Sequence, residues 1–358
     1  MYLDKIVGKK FQQSSFDTLY LFIRGRKWRH IKRYVQRYAG KDYYEKNKLK
    51  CYLRMSYAFI RYGWWFDEYF MFNFNRLSHE GRKEFVPNIQ KDYLCNHLNS
   101  PQIHELFKNK GLAAERFFKY YKRDYIVVNP SSFQEEVVRQ FVEKHESFFI
   151  KPIDGSLGRG AQVVRDTTIE EVKKILKDYP SGFVAEELIK QVKELAQLHP
   201  QSVNTIRIST FKLNGHVYLI PPFIRMGRGE NVMDNAAEGG IIGVIDVDTG
   251  IVTSACDEFG NWYVNHPETG ARIVGFEIPQ WEEALSLAKE LIQVIPECKY
   301  AGWDLSYTDK GWVVVEGNSR AQFICFQTAT QRGFRGELEE MLGQPLRKYC
   351  TTRCCSVD

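Results

Sequence analysis

The chain has 358 residues, of which 44% are hydrophobic and 26% charged, with 50 Lys and Arg against 44 Asp and Glu. This is the size and balance of a globular protein of two or three domains with a sizeable core. No apolar run is long enough for a membrane-spanning helix, and MYLDKIVGKKFQQSSF lacks the apolar core of a signal peptide, so a cytoplasmic chain is expected.

Residues 1–90 read as a basic, aromatic-rich helical domain. Fifteen Lys and Arg lie between Lys5 and Arg54, against 4 Asp and Glu between Met1 and Ile60, so the net charge of +6 sits at this end. Such a segment can approach nucleic acid, acidic lipid headgroups or an acidic polymer, or can simply be a solvated helical face. In RKWRHIKRYVQRYAG, Trp28, Ile31, Tyr34, Val35 and Tyr38 recur at helical spacing. The following YLRMSYAFIRYGWWFDEYFMFNFNRLS is dense in aromatics, as in a helical layer packed on a larger body or touching lipid.

Residues 91–185 change to mixed α and β. SPQIHELFKNKGL predicts a helix ending at Gly111, and YIVVNP a short strand. SSFQEEVVRQFVEKH predicts an amphipathic helix capped by Ser132. SFFIKPIDGSLGRGAQVVRD reads as strand, glycine loop, strand; TTIEEVKKILKDYP as a helix; FVAEELI as a buried strand. Residues 186–345 are strand-rich. One hairpin turns at Asn214-Gly215 and a second at Asp248-Thr249-Gly250. PQWEEALSLAKELIQVIP follows as an amphipathic helix. Residues 346–358 form a tail with Cys350, Cys354 and Cys355. The chain has 8 cysteines and no C-x-x-C pair, so reduced thiols are expected. Mixed elements with antiparallel pairs predict α+β lobes.

Three groups of residues carry candidate chemistry. Lys151 closes an apolar strand before Gly155, Ser156, Gly158 and Gly160. A glycine loop lets backbone N–H groups approach phosphate closely, and a lysine beside it can bridge phosphate oxygens. The loop leads into a strand, so it matches neither a P-loop nor a Rossmann turn. Arg207 alternates with Ile206 and Ile208, Arg225 stands in FIRMG, and Asn235 in VMDNAAEGG. A guanidinium on an apolar strand needs a partner or a cavity, and its fork suits phosphate or an ion pair.

The third group is AGWDLSYTDKGWVVVEGNSR. A three-residue loop, Asp309-Lys310-Gly311, pairs Thr308 with Trp312 and sets Asp304 opposite Glu316. Glu316 and Asn318 are two apart and share a face if the strand continues. Three oxygen-bearing side chains then converge on one patch, a donor set that suits Mg²⁺. An exposed polar hairpin is the other reading of these residues.

Taken in order, FFIKPIDGSLGRG, SVNTIRIST, GGIIGVID, HPETG and DLSYTDKGWVVVEGN resemble the ATP-grasp superfamily, most closely its sugar-transfer-associated branch, over residues 90 to 345. The resemblance implies two α+β lobes gripping ATP, preceded by the helical N-terminal domain. It implies that Lys151 contacts the α- and β-phosphates and that residues 155–160 fold over ATP. Glu186, Glu187 and Leu188 become the hinge beside the adenine. Arg207, Arg225 and Asn235 face the transferred phosphoryl group, and Asp304, Glu316 and Asn318 hold Mg²⁺. The superfamily's earlier phosphate-binding lysine has no counterpart at its expected place; Lys108 and Lys110 lie nearby. SRAQF follows Asn318 where a proline-glycine run is usual.

The implied reaction is ADP-forming ligation of a carboxylate and an amine through an acyl-phosphate. A carboxylated sugar and an amino acid, in surface polysaccharide synthesis, are the expected substrates. The basic N-terminus is expected to touch the inner face of the membrane rather than nucleic acid. A sugar kinase of the same fold, or a nucleotide-binding protein with little turnover, are the alternatives.

Overall fold

The computed structural model describes residues 22–23, 26–155, 158–229 and 239–349. The first described layer is helical. Helix α1 (Trp28–Ala39) and helix α2 (Lys41–Tyr62) are joined at Gly40, whose φ of 87° favours glycine. They bury an aromatic cluster in which Tyr44, Phe59, Trp64, Phe66 and Phe72 are almost fully enclosed. This layer packs onto the rest of the chain. Ile324 belongs to its core, and Asn73 donates to Gln331 at 2.7 Å. The aromatic density therefore serves packing for most of these rings. Helix α3 (Asn88–Leu98) leads into the body.

The predicted helix through Gly111 is instead two helices. Helix α4 (Pro101–Lys108) stops at Asn109, and helix α5 (Lys110–Tyr121) starts directly after it. The break has a local cause. The Asn109 side chain accepts from Leu112 N at 3.1 Å, capping the second helix, while Lys110 N is diverted to the Ile153 carbonyl at 2.9 Å. Ser132 is not a cap either. It lies in a 3₁₀ turn, Pro130–Ser132, and helix α6 (Glu135–Lys144) begins three residues later without a side-chain cap. Thr168 does cap helix α7 (Ile169–Leu176), in a reciprocal box with Glu171.

Four strands, β1 (Tyr125–Val128), β2 (Ser147–Pro152), β3 (Gln162–Arg165) and β4 (Phe183–Glu187), form one sheet in the order β1-β4-β2-β3. Helices α6 and α7 cover it through Val138, Phe141, Val172 and Leu176. Six further strands form the second sheet: β5 (Thr205–Leu213), β6 (His216–Met226), β7 (Ile241–Ile245), β8 (Val252–Cys256), β9 (Tyr300–Thr308) and β10 (Gly311–Asn318), in the order β10-β9-β5-β6-β7-β8. Every neighbouring pair is antiparallel. One face of this sheet packs Ile206, Ile208, Ile224 and Leu305 against helix α8 (Trp281–Leu291). The other face packs Phe223, Ile242 and Val244 against helix α9 (Ile324–Thr330). Alternation along β5 and β6 places Arg207 and Arg225 on this second face.

No described helix is long and apolar enough to cross a membrane. Cys51, Cys95, Cys256, Cys298 and Cys325 are free thiols. The tail cysteines lie outside the described residues.

Candidate active site

The β9–β10 hairpin differs from its expected register near the turn and agrees with it at the site. Thr308 pairs with Gly311 and Tyr307 with Trp312, so the loop is Asp309-Lys310 alone. Gly311 has a φ of 80°, the left-handed conformation a tight turn needs. A bulge at Val315 then absorbs one residue, and Glu316 returns opposite Asp304. The strand continues to Asn318, opposite Gly302. Asp304 is also the partner of Arg207 on β5. Glu316, Asp304 and Arg207 therefore form a row across three strands, on one face of the sheet.

Within that row Asp304 is buried and doubly paired. Arg207 holds it with both arms, Nε to Oδ1 at 2.5 Å and a terminal nitrogen to Oδ2 at 2.8 Å. Arg225 reaches Oδ2 at 2.9 Å and also donates to Thr205 Oγ1 at 2.8 Å. Burial pushes the Asp304 carboxyl up, but the two guanidiniums outweigh it and hold the group below the ordinary carboxylate range. Gly302 makes room for this packing. A Cβ there would lie 2.3 Å from Ala321 Cβ and 3.1 Å from Arg207 Cδ.

The glycine-loop side supplies a second charged cluster. Lys151 is buried at the end of β2, 2.7 Å from Glu186 Oε1, and points toward the Val315 carbonyl at 3.4 Å. Glu186 also accepts from Arg123, at 2.8 and 3.1 Å. Burial raises its carboxyl, and the Arg123 and Lys151 charges more than reverse that. Arg123 lies over the Tyr121 ring, 4.3 Å from its centroid, and donates to the Val314 carbonyl at 2.6 Å.

Lys110 joins the two clusters. Its ammonium group donates to the Gly155 carbonyl at 2.5 Å and lies 3.6 Å from Glu316 Oε1. Lys108 instead sits on the surface beside Glu105. Sequence reasoning named both lysines without choosing, because the helix break at Asn109 is not evident in the pattern. It missed Arg123 altogether, since nothing in KYYKRD separates that residue from its basic neighbours.

Gly158 and Gly160 have positive φ, 69° and 75°, and Tyr179 OH donates to the Gly160 carbonyl at 2.6 Å. Glu187 faces the hairpin turn, 3.4 Å from Lys310 Nζ, and Leu188 is half-buried just beyond β4. Ser156 and Asn235 lie outside the described residues. His199 and His266 are buried beside Gly227 and Gly229. His199 Nε2 is 3.0 Å from the Gly229 carbonyl and His266 Nε2 3.0 Å from the Gly227 carbonyl. They hold backbone at the exit of β6 and touch none of the charged row.

The oxygens that could meet Mg²⁺ are not equivalent. Glu316 is half-exposed, and Lys110 is its ion-pair partner among the described residues. Asn318 Oδ1 accepts from Arg320 N at 2.8 Å and keeps a second lone pair. Asp304 has both oxygens engaged by arginine. No described group of three or more His, Cys, Asp and Glu could hold a metal by itself. A magnesium ion that keeps water and phosphate ligands, as Mg²⁺ usually does, fits Glu316 and Asn318.

The model of one family, sugar-transfer-associated ATP-grasp, matches residues 88–342. The chain belongs to that family. Its ATP-grasp body is α+β, and a helical region precedes it. Among solved structures it is similar to D-alanyl-alanine synthetase A from Vibrio cholerae, at 14% identity and a TM-score of 0.39, over 68% of this chain and 62% of that one. It is also similar to phosphoribosylamine–glycine ligase from Thermotoga maritima, at 16% identity and a TM-score of 0.42, over 68% and 56%. A third is L-amino acid ligase from Bacillus licheniformis, at 13% identity and a TM-score of 0.36, over 62% and 42%. The chain thus spans less than two thirds of these proteins. No curated protein matches it.

Proposed function

We propose that this ATP-grasp protein is an ADP-forming carboxylate–amine ligase that works through an acyl-phosphate. The observation that carries the reading is Lys110, which spans from the glycine-loop carbonyl at Gly155 to Glu316. Lys151, Lys110, Arg207 and Arg225 then line one path along the β9–β10 pair, with carboxylates between them. Such a row of cations interleaved with carboxylates suits a polyphosphate with bound magnesium.

In this reading Lys110 and Lys151 hold the α- and β-phosphates of Mg-ATP. Glu316 and Asn318 hold the magnesium, which neutralises phosphate charge. Asp304 anchors Arg207 and Arg225 as a preorganised pair of guanidiniums facing the transferred phosphoryl group. A substrate carboxylate attacks the γ-phosphorus and ADP leaves. An amine then attacks the acyl carbon and releases phosphate, giving an amide. No protein nucleophile is required. We assign the carboxylate to a uronic-acid-type sugar of a surface polysaccharide and the amine to an amino acid; the family's association with sugar transfer supports the choice.

The test is incubation with Mg-ATP, hexuronic acids and amino acids, followed by mass analysis. Amide product with equimolar ADP and phosphate is expected. ADP with a phosphorylated sugar and no free phosphate would make the protein a kinase. No stimulated ADP release with any pair would remove the ligase reading.

A further inference from the structure

Helix α2 carries apolar side chains on the wrong side for a helix of a closed globular body. Its core side is complete: Tyr44, Cys51, Met55, Ala58, Phe59 and Tyr62 are all buried. Leu53 lies two positions from both Cys51 and Met55, about 160–200° round the helix axis. It is 64% exposed, Leu49 is 72% exposed and Tyr57 48%. These three stand four residues apart, so they form one slowly winding stripe, in which Tyr57 also packs edge-on against Tyr62 and Phe74. A helix packed on one side normally turns polar groups to the other. Single exposed leucines are common, but a contiguous outward stripe asks for a partner.

The stripe is flanked by cations. Lys50 and Arg61 are exposed on the same outward half of the helix, and Lys46 is exposed in the turn before the break at Asn47. The acidic residues Asp42 and Glu45 lie near its start, before the stripe begins. The neighbouring helix α1 exposes Arg29 and Arg33, and Arg26 is exposed just before it.

We propose that this face of α2 docks on an anionic lipid bilayer. Leu49, Leu53 and Tyr57 enter the headgroup boundary while Lys46, Lys50 and Arg61 meet lipid phosphates. Charge decides against the other occupants. In a two-fold dimer the patch would face itself, cation against cation, with no carboxylate in the stripe to compensate. Nucleic acid would satisfy the lysines and leave the leucines unused. The docking is independent of the reaction assigned to the cleft, and its test does not read turnover.

The full-length chain is sedimented with phosphatidylcholine vesicles, with and without phosphatidylglycerol, at low and high salt. It is expected to bind only the anionic vesicles, and less at high salt. Leu49→Ser/Leu53→Ser is expected to lower the bound fraction at least about tenfold, with an unchanged near-UV circular dichroism spectrum. Lys46→Glu/Lys50→Glu is expected to abolish binding. No vesicle binding, or binding that both pairs leave untouched, overturns the proposal. So does a concentration-dependent dimer, measured by sedimentation velocity without lipid, that Leu49→Ser/Leu53→Ser dissolves.

Discussion

Lys110 Nζ and Glu316 Oε1 lie 3.6 Å apart although more than 200 residues separate them in the chain. Lys110 opens a helix that the Asn109 side chain caps, and Glu316 regains its place opposite Asp304 only through the bulge at Val315. Two local irregularities therefore bring the glycine-loop side and the hairpin together.

The two nearby lysines should behave differently. Lys110→Met is expected to weaken Mg-ATP binding by about tenfold or more, since the proposed charge contact to phosphate would be lost. Lys108→Met should leave binding unchanged, because Lys108 is exposed and pairs with exposed Glu105. Nucleotide titration of both variants measures this. Equal affinities would show that Lys110 does not touch the nucleotide.

Glu316 and Asp304 face each other but should fail in different ways. Glu316 is half-exposed and paired with Lys110 at 3.6 Å, so Glu316→Ala should keep the protein folded, with a stability change of about 1 kcal/mol or less, while abolishing ADP formation. Asp304→Asn takes the carboxylate from buried Arg207 and loosens part-buried Arg225, and should cost about 3–5 kcal/mol. Chemical denaturation of the two variants gives the comparison. Unchanged ADP formation in Glu316→Ala would return the hairpin to a structural role.

Acid stability follows from the lowered carboxyls of Asp304 and Glu186, whose neighbouring cations outweigh the cost of burial. The unfolded state takes up their protons first as pH falls. Their contribution is complete above the ordinary values of 3.8 and 4.5 and disappears as pH falls through the lower folded values. Stability of the wild type should therefore fall steeply below about pH 4. Glu186→Gln should be less stable at neutral pH and show a flatter acid limb, measured by urea midpoints across pH.

Gly302 offers a packing test that leaves every charge in place. An added Cβ would lie 2.3 Å from Ala321 Cβ and 2.9 Å from Ser209 Oγ. Gly302→Ala should cost about 1–3 kcal/mol and lower turnover by displacing Arg207. Paired melting and turnover measurements check it; a stable, fully active variant would mean that the Ala321 segment yields freely.

Much of the fold was legible in the sequence. The turns at Asn214-Gly215 and Asp248-Thr249-Gly250 appear where composition puts them, with Asn214 and Gly215 both at positive φ. Helix α8 and the six strands of the larger sheet follow their periodicity. The ordered motifs carried the ATP-grasp resemblance, and the family match bears it out. Errors fell where side chains compete with backbone propensity. Asn109 breaks a helix that its flanking residues favour, and Ser132 yields the capping position to a 3₁₀ turn.

By itself the sequence determined most of the elements, the hairpin that carries Asp304 and Glu316, and the residue types of a candidate phosphate site. Local propensity and spacing suffice for those. Tertiary structure alone decided that Lys110 and not Lys108 enters the site, that Arg123 shares Glu186 with Lys151, and that Asp304 is claimed by two arginines. These depend on contacts between distant segments, where the cost of burying an unpaired charge selects the partner, and no short stretch of sequence contains both members of such a pair.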